Sequence, residues 1–68
     1  MVTVTKFNER EVVVNCELIE QIEATPDTVI TMTTGHKIIV KESVEEVLER
    51  VVAFKKMILH NTVFGNAN

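Results

Sequence analysis

The chain has no tryptophan and no tyrosine, one cysteine, one proline and two glycines in 68 residues. Each scarcity excludes something. A lone Cys16 rules out an internal disulfide. Three phenylalanines as the only aromatics leave little on which single-stranded nucleic acid would stack. A formal net charge of −3 is the wrong sign for displacing counterions from a phosphate backbone. Nothing approaches the roughly 20 consecutive apolar residues of a membrane-spanning helix. Residues Met1 to Lys6 carry neither the basic start nor the apolar run of a secretory signal. These points predict a cytoplasmic protein with a reduced thiol. His36 and His60 lack ligand-spaced partners, so no metal is expected.

An apolar fraction of 46% argues for a folded domain rather than disorder. A chain of this size is one domain, and it buries only about 60% of its unfolded surface. With disulfide and metal set aside, oligomerisation or a well-idealised fold is left to supply stability.

Alternation of β-branched residues marks Val2–Thr5 as a strand. Asn8, Glu9 and Arg10 form a polar turn, and Glu11–Asn15 makes a second strand and a hairpin. From Asn15 to Ile19 two readings stand: a single helical turn capped by Asn15, with Leu18 and Ile19 beneath the sheet, or continuous strand. Glu20–Thr25 reads as a third strand with Ile22 and Ala24 on one face. Thr25-Pro26-Asp27-Thr28 fits a type I turn. Thr28–Thr33 is a fourth strand, with Ile30 and Met32 on one face. Gly35 supplies the positive φ of a tight hairpin. Lys37–Lys41 is the fifth strand, with Ile38 and Val40 inward.

Ser43 followed three residues later by Glu46 is a capping box, so a helix starts there. Acidic residues fill its first turns and Arg50, Lys55, Lys56 and His60 its second half, which suits the helix dipole. Glu46 and Arg50 are spaced as an i,i+4 pair. The apolar positions from Val44 to Leu59 span an arc of roughly 160°, wider than the about 100° that docking on one sheet requires. Lys55 falls inside this arc, either snorkelling past the sheet edge or beside a second packing partner.

No pattern of chemistry emerges. Cys16 has Asn15 and Glu17 as neighbours, which suits a packed core cysteine better than an activated thiol. His36 and His60 read as solvated surface residues. The acids from Glu42 to Glu49 read as a solvated helix start, and Gly35 alone is not a phosphate loop. Nothing pairs an acid with a base or a nucleophile with a base, so no enzyme is expected. One feature stands apart. Val13, Val29 and Ile39 are out of phase with the inward sets of their strands. Either the sheet curls into a partial barrel that buries them, or they join Val52, Lys55 and Leu59 of the wide helix arc in a protein interface.

The ordered run Leu18-Ile19-Glu20, Ile22-Glu23, Thr25-Pro26-Asp27-Thr28-Val29-Ile30, Gly35-His36-Lys37 and Val40-Lys41-Glu42-Ser43, continued through Val44–Val51, resembles the FlbD/SwrD family of small flagellar proteins. The likeness runs from Val2 to about Leu59. Asn8-Glu9-Arg10 departs from it, standing where the family often has a glycine-containing turn. The resemblance implies a role in flagellar motility and swarming, with support of motor power at the stator units. It implies no enzymatic activity and no cofactor, and it supplies no binding residues.

Residues and resemblance together give an α+β fold: a small, twisted antiparallel sheet of about five strands, open-barrel-like, with one C-terminal helix. The domain is expected over residues 1–60 and a flexible tail over 61–68. The expected function is a non-enzymatic cytoplasmic adaptor, recruited to the flagellar motor at the inner face of the membrane. Its expected partners are motor proteins, including cytoplasmic parts of the stator complex. Homo-oligomerisation is expected; nucleic acid, cofactor and membrane insertion are not. The alternative is a nucleic-acid-binding regulator of flagellar genes, on a twisted five-stranded sheet.

Overall fold

The computed structural model describes the backbone of residues 1–65 and the side chains through Leu59. Five antiparallel strands precede one helix: β1 (Val2–Thr5), β2 (Glu11–Val14), β3 (Ile19–Ala24), β4 (Thr28–Met32), β5 (Lys37–Val40) and α1 (Val44–Gly65). The strands form two sheets, β1-β2 and β3-β4-β5. The sheets meet at a single bridge between Lys6 and Val40, where the Lys41 N–H also donates to the Thr5 carbonyl at 2.8 Å. They do not close into a barrel.

Alternation within each strand decides what is buried. Val2 and Val4 of β1, Val14 of β2, Ile30 of β4 and Val40 of β5 turn inward to meet Cys16 and Val47. Val4, Ile30 and Val47 are completely enclosed. Val12, Ile19, Ile22, Met32, Ile38, Val51 and Phe54 pack around this centre, half-buried. The core is therefore small and almost wholly aliphatic.

Local chemistry sets the connections. Glu9 turns the first hairpin at φ 68°, a left-handed conformation that costs a residue with a Cβ roughly 1–2 kcal/mol. Lys41, from the start of the β5–α1 link, reaches back to form an ion pair with its carboxylate. The single helical turn is a 3₁₀ turn over Cys16–Leu18, with the Asn15 side chain accepting from the Glu17 N–H at 3.1 Å. Ile19 packs on the core as expected, but Leu18 is exposed, because three residues per turn bring Cys16 inward instead. The expected type I turn at Pro26 is absent. The Thr25–Pro26 bond is cis, the Thr25 N–H donates to the Asp27 carbonyl at 3.0 Å, and residues 25–27 link the paired Ala24 and Thr28. Ala24, expected inward, is exposed. Gly35 closes the β4–β5 hairpin at φ 90°.

The capping box forms as the spacing requires: the Glu46 N–H donates to Ser43 Oγ and the Ser43 N–H to Glu46 Oε1, both at 3.1 Å. The i,i+4 pair of Glu46 and Arg50 does not form. Glu46 is committed to the cap, and Arg50 Nη1 donates instead to the Thr3 carbonyl at 2.8 Å and to Glu42 Oε2 at 3.1 Å. Glu42 sits at the junction of both sheets and the helix. It also accepts from the Thr5 N–H and the Thr5 hydroxyl, each at 2.8 Å. Its side chain is only 8% exposed. Burial pushes this carboxyl up, but the bonds from Thr5, from its own amide and from Arg50 outweigh that and hold it below the usual glutamate value.

A helix of 22 residues is about 33 Å long, whereas strands of four to six residues span at most about 20 Å. The helix thus outruns the sheets and stretches the long dimension of the molecule to 45 Å. Helical backbone continues through residues 61–65, the first part of the segment expected as a tail; residues 66–68 lie outside the described residues.

Candidate protein-interaction surface

The out-of-phase side chains lie outside the core. Val13 is 66% exposed, Ile39 48% exposed and Val29 half-buried. Val29 and Ile39 are direct cross-strand partners, so they share one patch on the outer face of the second sheet. Val13 belongs to the first sheet, opposite Thr3. These residues do not line a barrel interior, since the sheets stay open and their other face holds the core.

Two shallow grooves connect Val13 to Ile39. One is bordered by Val12, Val13, Asn15 and Met32, the other by Phe7, Asn8, Lys37 and Ile39. Both are also lined by Lys6, His36 and Ile38, which makes them one continuous surface across the gap between the sheets. Phe7, just past β1, is 52% exposed beside Ile39. Among the described residues no acidic side chain lines either groove, while Lys6 borders both and Lys37 the second. The grooves themselves are thus apolar with a basic border, in a chain of net charge −3. Sequence reasoning missed Phe7. It sits in the turn after β1, where strand alternation says nothing about direction.

The helix residues fall on a different surface. Val47, Val51 and Phe54 face the core. Leu48, Val52 and Leu59 lie on the neighbouring stripe and are about half exposed or more. The sheet patch and the helix stripe line separate grooves: Leu48 and Val52 share theirs with no residue of the sheet patch. Lys55 borders the stripe and is held by its own chain: its Nζ donates to Glu17 Oε1 at 2.7 Å. That hydrogen bond and the opposite charge raise the Lys55 pKa and lower that of Glu17. Lys55 thus pairs the helix with the 3₁₀ turn at the surface.

Other candidate chemistry stays apart. Cys16 is buried in the core. His36 is exposed at the β4–β5 turn. His60 lies within the helix, and its side chain is outside the described part. Glu42 departs from the solvated helix start expected of it and is buried at the junction of the sheets, while Glu45, Glu46 and Glu49 remain exposed. Among the described residues, no three or more histidine, cysteine or acidic side chains converge as metal ligands would. No helix is long and apolar enough to cross a membrane, again among the described residues.

Comparison with known families decides the relationship. The family model described as FlbD, flagellar and swarming motility proteins, matches residues 1–59. The chain belongs to the FlbD family. The match covers all five strands and the helix as far as the last described side chain, so both exposed surfaces are FlbD-domain surfaces. No curated protein and no solved structure matches the chain. Membership in FlbD carries a role in flagellar and swarming motility.

Proposed function

We propose that this FlbD protein is a non-enzymatic, cytoplasmic adaptor of the flagellar motor that engages a protein partner through its outer sheet surface. The observation that carries the reading is the continuous groove from Val13 to Ile39, with Phe7, Val13 and Ile39 about half exposed or more and Lys6 and Lys37 on its border. Exposed apolar groups gathered in this way favour a protein ligand. The border of Lys6 and Lys37 favours one whose apolar residues are flanked by acids. The motility role of the family supports placing that partner in the motor, and the cytoplasmic parts of the stator units are the partner we infer. Acting there, the adaptor would support motor power without chemistry of its own.

Binding of the purified chain to cytoplasmic stator segments, followed by titration calorimetry, tests the proposal. Wild type should bind, and Ile39→Glu and Val13→Glu should each weaken binding at least about tenfold. Because both side chains are exposed, folding should be preserved. Equal binding by folded Ile39→Glu and Val13→Glu proteins would exclude the sheet surface as the binding site.

A further inference from the structure

The outer stripe of α1 has a charge pattern that names its occupant. At about 100° per residue, Leu48, Val52 and Leu59 lie within roughly 40° of one another. Leu48 and Val52 line one surface groove together with Glu45, Glu49, Ala53 and Lys56. Along that flank the charge changes sign: Glu45 and Glu49 come first and Lys56 follows. On the opposite flank, Lys55 is already engaged by Glu17. The flank with Glu49 and Lys56 is thus the one that offers charge to another molecule.

We propose that this stripe pairs with a second copy of itself, antiparallel, about a two-fold axis beside Val52. The symmetry does what the charges demand. Glu49 of each copy comes opposite Lys56 of the other, so a single contact type is made twice, as an isologous interface requires. Leu59 of each copy lies over the Glu45–Leu48 turn of the other. Parallel pairing would instead stack Glu45 and Glu49 on their own copies and Lys56 on Lys56, which is repulsive. Ala53 lets the helices approach on the charged flank. The projecting end of each helix, where Met57, Ile58 and Leu59 are exposed without sheet beneath them, gains a surface to lie on. Three half-exposed aliphatic side chains per copy make less area than the roughly 800 Å² per partner of a standard interface. The dimer is accordingly weak and salt-sensitive, with charge deciding its geometry.

Sedimentation velocity of the full chain from about 1 to 200 µM tests this. Wild type should shift from monomer to dimer across that range, less readily at high salt. Glu49→Lys and Lys56→Glu should each weaken self-association about tenfold, since symmetry places two like-charge contacts in each variant dimer. Mixed together, the two variants should form a heterodimer at least as tight as wild type, because every contact is then attractive again. Val52→Glu should abolish the dimer, and circular dichroism checks that it stays folded; should it unfold, the charge swap alone carries the test. A wild type that remains monomeric at 200 µM overturns the proposal. So does a dimer unaffected by both charge reversals, which would place the contact elsewhere, or single variants that do not combine.

Discussion

Replacing Glu42 by glutamine should cost the protein a large part of its stability, and the loss should depend on pH. The carboxylate receives three hydrogen bonds from other residues: two from Thr5 at 2.8 Å and one from Arg50 at 3.1 Å. Charge-assisted bonds are worth about 1.5–3 kcal/mol each before desolvation of the carboxylate is subtracted. Arg50 is 44% exposed, so water recovers part of its interaction in the variant. Glutamine also retains an oxygen for one of the Thr5 donors. A net loss of about 2–3 kcal/mol follows. Total stability at roughly 0.05–0.15 kcal/mol per residue is about 3–10 kcal/mol for 68 residues, so the loss is conspicuous. It should lower Tm by about 8–24 °C.

The sign of the pH effect follows from the depressed carboxyl of Glu42. A group that ionises more readily folded than unfolded stabilises fully above its unfolded value, near 4.3 for glutamate. That contribution disappears as pH falls through the lower folded value. Thermal unfolding of wild type and Glu42→Gln should therefore differ most at neutral pH. The two should converge as pH falls below about 4. Equal Tm values at pH 7, or a gap that persists unchanged into strong acid, would refute this role for Glu42.

Three smaller predictions concern the turns and the cap. Ser43→Ala removes the hydroxyl that accepts from the Glu46 N–H and should cost about 1 kcal/mol in chemical denaturation; an unchanged midpoint contradicts the cap. Gly35→Val forces a β-branched side chain to φ 90° and should lower Tm even though the space around the added carbon is open, which isolates backbone strain from crowding. Glu9→Gly should raise stability by about 0.5–1 kcal/mol, because relief of the left-handed strain outweighs glycine entropy and loss of the exposed pair with Lys41. A lower midpoint for Glu9→Gly would show that the ion pair with Lys41 outweighs the backbone strain.

Strand phase is the most legible part of the fold. Val2, Val4, Ile30 and Val40 are β-branched residues at alternating positions, and burial of all four follows directly from that period. The capping box is equally readable, since both partners are local. What escapes is non-local. Glu42 looks like one more acid before a helix, and only the meeting of β1 with the β5–α1 link brings Thr5 to it. Spacing offers Glu46 both to the cap and to Arg50; it cannot show that the Thr3 carbonyl and Glu42 lie within reach of Arg50 and draw it away. The width of the apolar helix arc is visible in the chain. Its division into a docked stripe of Val47, Val51 and Phe54 and an outward stripe of Leu48, Val52 and Leu59 depends on which side of the helix the sheets cover.

The FlbD family acts in flagellar and swarming motility, and the outer sheet surface is the proposed route to it. Swarm expansion of a flagellated host deleted for its own copy tests it most directly, with wild type or Ile39→Glu supplied in trans at equal cellular level. Wild type should restore swarming, and Ile39→Glu, although folded, should leave cells flagellated but slow to spread. Full restoration by Ile39→Glu would show that motility does not depend on this surface.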